Sequence, residues 1–302
     1  LQGAARHTTS AIEIALIDAK SKSLGVPAYK MFGDNFNDKV EVYGSGGICD
    51  SKEHFIEELE YLKSLGIKKY KIRSTEKDIL RTAWILQEAN KYKIEIGIDM
   101  CQNLADPPLS AEEVIGFINH VRKISSENIL FLEEAVGPTD IKGFKKLKEN
   151  FDIKICGGEI ITNQEEMISR INLGTYDFVQ PDASVIGGIH SVLEIFKHAK
   201  SKGVDTVVHA WGGPVAIMAN YHACFAAGGK LVELPMIPYD LEPDLFTDQR
   251  QIADGFLIRP EKPGIGINMN DKIENKYKFD ESAVYSCVVV DRGQPNDDYW
   301  KL

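Results

Sequence analysis

The sequence of 302 residues is poor in cysteine and has no long uninterrupted hydrophobic run. Its cysteines are Cys49, Cys101, Cys156, Cys224 and Cys287, an odd number with no Cys-x-x-Cys pair. This spacing argues against a disulfide framework or a structural zinc site and is typical of a reducing compartment. No apolar run reaches the roughly 18 residues of a membrane span, and the segment LQGAARHTTS lacks the apolar centre of a signal peptide. We therefore expect a cytoplasmic protein.

Basic residues are also in short supply. The chain has 35 Lys and Arg against 45 Asp and Glu, which gives a formal net charge of −10. Such a balance argues against nucleic acid or an anionic membrane as a partner. A hydrophobic content of 43% is that of an ordinary globular protein.

Strand-like and helix-like segments alternate along most of the chain. The predicted strands are 40–47, 68–73, 95–100, 129–135, 154–159, 177–182, 204–210 and 231–235. Eight strands separated by helices of this length predict parallel βαβ units closed into an α/β barrel of the TIM type. One intervening helix has a capping-box start, with Ser110 followed three residues later by Glu113. After residue 235 the only strong strand prediction is VYSCVVV (284–290).

Carboxylates stand at the ends of three successive predicted strands. Asp99, Glu133 and Glu159 are 34 and 26 residues apart, which suits one strand-plus-helix unit per acid. Polar residues at the carboxyl ends of barrel strands line the active site, so these acids are expected to converge. A single such acid is more often a solvated strand end, but three together predict a Mg²⁺ site. Glu134 is the weaker candidate, because neighbouring residues of a strand face opposite ways.

Further charged residues occupy the other strand ends. His209 ends the seventh predicted strand and Asp182 the sixth, so an aspartate is placed to orient the imidazole of a general base. A histidine that merely packs in the core is the alternative. Lys71 and Arg73 are two residues apart, so both side chains face one side of their strand and could neutralise a bound carboxylate. A pair of surface cations is the simpler alternative for them.

The sequence resembles the mandelate racemase subgroup of the enolase superfamily. The resembling segments, in the order of that family, are AIEIALIDAKSKSLGVPAYKMFGD (11–34), GIKKYKIRS (66–74), GIDM (97–100), FLEEA (131–135), CGGE (156–159), QPDASVIGGI (180–189), VVHAW (207–211) and VELP (232–235). The resemblance implies a modified (β/α)7β barrel and a homo-oligomer.

The resemblance also implies roles for the charged residues. Mg²⁺ would be held by Asp99, Glu133 and Glu159, and His209 with Asp182 would form the catalytic dyad. Glu233 would hydrogen-bond the carboxylate of the substrate, and Lys71 would stabilise the same group. In the family a lysine usually stands where this chain has Arg73, and arginine is a poor general base. An asparagine is often found where this chain has Cys101.

The implied function is that of a Mg²⁺-dependent hydro-lyase. It would dehydrate a sugar acid or another hydroxycarboxylate by abstraction of the α-proton, through an enediolate, with loss of the β-hydroxyl. A racemase or epimerase of a 2-hydroxy acid is the alternative, although Arg73 weakens the second base that such an enzyme needs. A barrel that binds a ligand without turnover is a third hypothesis.

The resemblance divides the chain into three parts. Residues 1–38 would be the remnant of an α+β capping domain and its linker helix into the barrel, because the first barrel strand is already at residue 40. Residues 39–235 would form the catalytic barrel, and residues 236–302 would pack on the barrel or the cap. The loops of such a cap choose the substrate, so most of the substrate-specifying part is expected to lie outside this sequence.

Overall fold

Strands and helices alternate from residue 39 to residue 235. The computed structural model describes residues 2–34, 36–48, 51–236, 245, 250–278, 280–281 and 298–301. The first eight strands are Lys39–Ser45 (β1), Lys69–Arg73 (β2), Glu95–Asp99 (β3), Ile129–Glu133 (β4), Lys154–Gly157 (β5), Phe178–Val179 (β6), Asp205–Thr206 (β7) and Leu231–Pro235 (β8). The strand predicted over 284–290 lies outside the described residues.

Helices precede and connect these strands. They are Ala4–Ser23 (α1), Lys52–Ser64 (α2), Ile79–Lys91 (α3), Ala111–Ile124 (α4), Ile141–Asn150 (α5), Gln164–Asn172 (α6), Ala183–Ile186 (α7), Ile189–Ser201 (α8) and Pro214–Ala227 (α9), with a 3₁₀ helix over Ala28–Phe32. The predicted start of α4 is confirmed: the Ser110 side chain accepts from the Glu113 backbone N–H, and the Glu113 side chain accepts from that of Ser110. A short helix, Asp271–Lys276 (α10), follows near the end of the described chain.

The strands pair as the sides of a barrel. Each strand from β1 to β6 is parallel to the next one along the chain, and β8 pairs with β1, also in parallel. Just beyond β7, Val208 forms a parallel bridge with Val232 of β8, so the pairings run right round from β1 to β8. The predicted TIM-type α/β barrel is therefore confirmed, with helices connecting each strand to the next.

Two strands are much shorter than predicted. β6 and β7 have two residues each, whereas 177–182 and 204–210 were expected. Pro181 follows β6 closely and has no backbone N–H to donate, which limits regular pairing there. Two hydrogen bonds nevertheless continue the contact, from the N–H of Val207 to the carbonyl of Val179 and from that of His209 to Pro181. His209 and Asp182 thus lie in extended segments just past the strands, not at their last residues.

A short hairpin follows the barrel and was not predicted. Ile252–Ala253 (β9) and Phe256–Ile258 (β10) are antiparallel, and β10 also pairs with the first residues of β1. Asp254 and Gly255 form the two-residue turn, and both have positive φ angles. An Asp-Gly pair is a strong hairpin signal, so the sequence contained evidence for this turn.

The barrel interior below the strand ends is filled by apolar side chains. Tyr43, Phe131, Cys156 and Val207 form a buried cluster separate from the larger core. Because side chains alternate along a strand, Phe131 shares a face with Glu133, and Val207 shares one with His209. This cluster therefore forms an apolar floor under the charged residues at the strand ends.

Candidate active site

Three carboxylates converge at the carboxyl ends of neighbouring strands. Asp99 and Glu133 are the last residues of β3 and β4 and lie opposite each other in the sheet. Glu159 follows β5 by two residues. One oxygen from each of the three lies within 4.8 Å of the others. The structure thus brings together the acids that the sequence singled out.

Burial makes this group of acids electrostatically unusual. Glu133 is fully buried, and desolvation, with Asp99 and Glu159 adding to it, raises its pKa to about 8 against the attraction of Lys71. Burial alone would also raise the pKa of Glu159, but His209 and Lys71 oppose it, and the pKa lies below its usual value. Repulsion among buried carboxylates is relieved by a cation. A hard, all-oxygen donor set of this size fits a divalent ion such as Mg²⁺.

Lys71 lies against the same acids and is completely buried. Its Nζ atom is 2.5 Å from Oε1 of Glu133, 2.8 Å from Oε1 of Glu233 and 3.9 Å from Oδ2 of Asp99. Burial lowers the pKa of Lys71, but Glu133 and Glu233 raise it by more, so it stays well above its usual value. Lys71 is therefore a fixed positive charge inside the site.

Arg73 faces the same side of β2 as Lys71, as predicted from their spacing. Its Nη1 atom donates to the Ser45 hydroxyl at 2.9 Å and to the Gly46 carbonyl at 3.0 Å. Its Nε atom is 3.7 Å from Oδ2 of Asp99. Burial lowers its pKa, but the Asp99 carboxylate opposes this effect, and the pKa lies above the ordinary value. Arg73 thus presents a permanent cation beside the three acids.

His209 and Asp182 form a hydrogen-bonded pair across from the acids. Nδ1 of His209 is 2.8 Å from Oδ2 of Asp182, and Nε2 is 3.2 Å from Oε2 of Glu159. Burial lowers the pKa of His209, but Glu159, Glu233 and Asp182 together raise it to about 10. The Nε2 atom therefore faces the three acids, while Nδ1 is hydrogen-bonded to Asp182.

Glu233 lies in the middle of β8 and contacts both Lys71 and the segment that carries His209. Besides its ion pair with Lys71, its Oε2 atom accepts a hydrogen bond of 2.8 Å from the backbone N–H of Ala210. Burial would raise the pKa of Glu233, but Lys71, His209 and Arg73 hold it well below its usual range. Glu233 is therefore ionised, and it fixes the backbone immediately after His209.

Glu134 directly follows β4, has a positive φ angle and is not one of the three converging acids. Its Oε1 atom accepts a 2.5 Å hydrogen bond from the backbone N–H of Gly158. Burial, with Glu159 adding to it, raises the pKa of Glu134 to about 8. Glu134 therefore supports the β5 loop and does not join the group of three.

Three amide side chains contact the charged residues and were not predicted. Gln180 donates to Oε2 of Glu133 at 2.6 Å, and Asn103 donates to Oε1 of Glu159 at 2.7 Å. Asn220, in α9, donates to Oδ1 of Asp182 at 2.8 Å. A signal existed for Gln180, which precedes Asp182 by two residues and so shares its face. No comparable local signal marks Asn220.

The family model described as "Enolase C-terminal domain-like" matches residues 54–273. None of the helices among the described residues is long and apolar enough to cross a membrane.

Two curated relatives are sugar-acid dehydratases. An arabinonate dehydratase of Saccharolobus solfataricus is 27% identical over 284 residues, covering 92% of this chain and 74% of that protein. A D-gluconate dehydratase of Thermoproteus tenax is 26% identical over 288 residues, covering 91% of this chain and 57% of that protein.

Solved structures show the same barrel. The 3,6-anhydro-D-galactonate cycloisomerase of Zobellia galactanivorans has a TM-score of 0.78 at 27% identity, covering 91% of this chain and 76% of that one. An L-talarate dehydratase of Polaromonas sp. JS666, solved with Mg and L-glucarate, has a TM-score of 0.74 at 22% identity, covering 90% and 73%. The family match and these relatives together establish that the chain belongs to the enolase C-terminal domain-like family and is an enzyme of the enolase superfamily.

Proposed function

We propose that the protein is a Mg²⁺-dependent dehydratase of a sugar acid or a related hydroxycarboxylate. The observation that carries this proposal is the position of His209: its Nε2 atom faces the three acids at 3.2 Å from Glu159, while Asp182 holds its other nitrogen. A proton acceptor beside a group of hard oxygen ligands is what abstraction of a proton next to a carboxylate requires.

Asp99, Glu133 and Glu159 would hold the metal ion. When bound there, Mg²⁺ would supply the positive charge that stabilises an enediolate and so acidifies the α-carbon of the substrate. In the fully buried Glu133, one oxygen is paired with Lys71 and the other accepts from Gln180. These contacts fix the orientation of the carboxylate before any ligand arrives.

His209 would remove the α-proton through Nε2. Its Nδ1 atom is occupied by Asp182, so Nε2 is the nitrogen that can accept a proton from a substrate. The imidazolium formed in this way would be stabilised by the Asp182 carboxylate. The same Nε2–H could then donate to the departing β-hydroxyl, which would leave as water and yield an enol that becomes a 2-keto-3-deoxy acid.

Lys71 and Arg73 would bind the anionic end of the substrate. Glu233 would hydrogen-bond the same group after taking up a proton, because two ionised carboxylates repel each other. Neither cation is placed as a second base: Lys71 is ion-paired with Glu133 and Glu233, and arginine keeps its proton in almost every setting. The sugar-acid dehydratases among the relatives support the same chemistry.

The test is a screen of the protein with Mg²⁺ against a library of acid sugars, with detection of 2-keto-3-deoxy acids. We expect a hit that disappears with His209→Asn and with a chelator. His120→Asn is the matched control, because His120 is an exposed histidine of α4 and should leave the activity unchanged. Turnover that survives in the His209→Asn variant would contradict the proposal.

Racemisation or epimerisation is the second candidate, because it begins with the same abstraction of an α-proton by His209. Incubation of the protein and its substrate in D₂O distinguishes this reaction from dehydration. Recovery of deuterated substrate with inverted configuration would favour this candidate over dehydration. A barrel that binds without turnover is the third candidate, and it predicts binding of a sugar acid with no product and no deuterium exchange.

A further inference from the structure

Arg73 is in contact with an aromatic ring from the far side of the barrel mouth. Its guanidinium carbon lies 4.2 Å from the centre of the Trp211 ring. Trp211 follows His209 by two residues, just past β7, whereas Arg73 ends β2. In the ring of strands, β8 and β1 stand between β7 and β2, so the contact joins two parts of the barrel rim that are not neighbours. A cation at this distance over an indole face is attracted to it.

The contacts of Arg73 surround its guanidinium on several sides. Ser45 and Gly46 of the β1 end accept from Nη1, and Asp99 attracts Nε. These partners contact the nitrogen atoms of the guanidinium, whereas its carbon lies over the Trp211 ring. A flexible arginine loses conformational freedom when it binds an anion, so contacts that fix it beforehand favour binding.

Trp211 is not part of the core that holds the fold together. It is partly exposed and is absent from both clusters of buried apolar residues, unlike Trp84 and Trp300. The segment after it, Gly212 and Gly213, leads directly into α9. Core packing therefore does not explain why a tryptophan stands at this position. Its ring lies over a cation and is two residues from His209, which indicates a role in the site.

We propose that Trp211 is a positioning residue that holds the guanidinium of Arg73 in one place across the barrel mouth, ready for the anionic group of the substrate. The proposal rests on the function proposed above, because it takes the ligand to be a carboxylate. Arg73 touches the ligand, and Trp211 acts through Arg73.

The kinetic test compares two substitutions of Trp211. Trp211→Leu removes the aromatic face, and we expect KM to rise about tenfold with a smaller change in kcat. Trp211→Phe keeps an aromatic face and should recover most of the affinity. In an Arg73→Gln background, Trp211→Leu should cost little more, because the two residues act as a unit. Val215→Ala, which changes an exposed apolar residue in the first turn of α9, is the control.

A second measurement does not depend on turnover. The Nε–H resonance of Arg73, identified by its loss in Arg73→Lys, should be displaced by the ring current of Trp211 and should move in Trp211→Leu but not in Val215→Ala. If no acid sugar is turned over and the resonance still moves, the proposed function fails while the positioning of Arg73 stands. An unmoved resonance, or equal KM effects of Trp211→Leu with and without Arg73, would overturn the inference.

Discussion

Nδ1 of His209 lies 2.8 Å from Oδ2 of Asp182, in segments that follow neighbouring barrel strands. The other oxygen of Asp182 accepts from the backbone and hydroxyl of Ser184, both at 2.7 Å, and from Asn220 at 2.8 Å. The orientation of the Asp182 carboxylate is therefore fixed by these three hydrogen bonds, independently of His209. This arrangement fixes the tautomer of the imidazole and directs Nε2 toward the acids.

Replacement of this aspartate should change the pH dependence of activity as well as its level. Asp182→Asn keeps the size of the side chain but removes a charge that helps raise the pKa of His209 to about 10. The pKa of the base should fall, so the acidic limb of the kcat/KM profile should move to lower pH. The maximal rate should fall by about two orders of magnitude or more. A pH–rate profile measures both effects.

Asp205→Asn is the control for this experiment, because Asp205 is an exposed carboxylate at the start of β7. It should leave both the rate and the profile unchanged. A profile of Asp182→Asn that coincides with that of the unmodified protein would show that Asp182 does not set the basicity of His209.

A buried arginine holds the backbone behind Arg73. Arg81, in α3, donates from Nη1 to the Arg73 carbonyl at 2.9 Å and from Nη2 to the Gly47 carbonyl at 2.6 Å. It thereby joins the ends of β1 and β2. Arg81→Gln should destabilise the protein by about 2 kcal/mol or more, because buried carbonyls lose charged donors. Arg81→Lys keeps the charge and should recover part of that loss.

Denaturant unfolding of these variants measures the stability change, and Arg122→Lys on the exposed side of α4 is the matched control. KM for the acid sugar should rise in Arg81→Lys, since the backbone that carries Arg73 would loosen. Full stability combined with an unchanged KM would contradict the role given to Arg81.

Glu134 should make the stability of the metal-free protein depend on pH. Burial raises its pKa from 4.5 to about 8, so the folded state retains a proton that the unfolded state has lost. The contribution of Glu134 to the free energy of unfolding is therefore complete below about pH 4.5, and it is lost as the pH rises through about 8. Glu134→Gln removes the titrating group and keeps an acceptor for Gly158.

In the presence of a chelator, the unmodified protein should lose stability between pH 5 and pH 8 more than Glu134→Gln does. The melting temperature of Glu134→Gln minus that of the unmodified protein should therefore increase over this range. Glu149→Gln, an exposed carboxylate of α5, should show no such trend. A difference that is constant with pH would mean that Glu134 does not titrate in this range.

The barrel and the convergence of the acids could be predicted because one simple pattern repeats. Most of the predicted strands are short apolar runs with a charged residue at or near the end, and Asp99, Glu133 and Glu159 follow this pattern at intervals of one strand and one helix. Parallel strands all end at one rim, so residues at their ends must meet. No detailed knowledge of side-chain packing is needed for this conclusion.

The supporting amides could not be predicted in the same way. Asn220 lies 38 residues from Asp182, in the interior of α9, and nothing in the neighbouring sequence marks its contact. The contact exists because α9 packs beside the segment that carries Asp182, which is a tertiary effect. The contact between Arg73 and Trp211 has the same origin, since its two residues come from opposite ends of the barrel sequence.

A glycine inside the barrel offers a clear test of how tightly the floor of the site is packed. A Cβ atom at Gly97, in β3, would stand 2.3 Å from the ring of Phe131, whereas a Cβ at Gly116, in α4, would meet nothing within 4 Å. Gly97→Ala should therefore destabilise the protein by about 1–3 kcal/mol. Gly116→Ala should stabilise it by about 0.5–1 kcal/mol, because alanine favours a helix. Both changes add one methyl group, so denaturant unfolding compares them directly.

A second substitution identifies the cause. Phe131→Leu removes the ring that Gly97→Ala would strike, so the double variant should cost less than the sum of the two single changes. Because Phe131 lies one layer below Glu133, overpacking at Gly97 should also weaken Mg²⁺ binding measured by calorimetry, and the double variant should restore it in part. Additive effects on stability would show that the floor relaxes freely and that the acids above it do not depend on its packing.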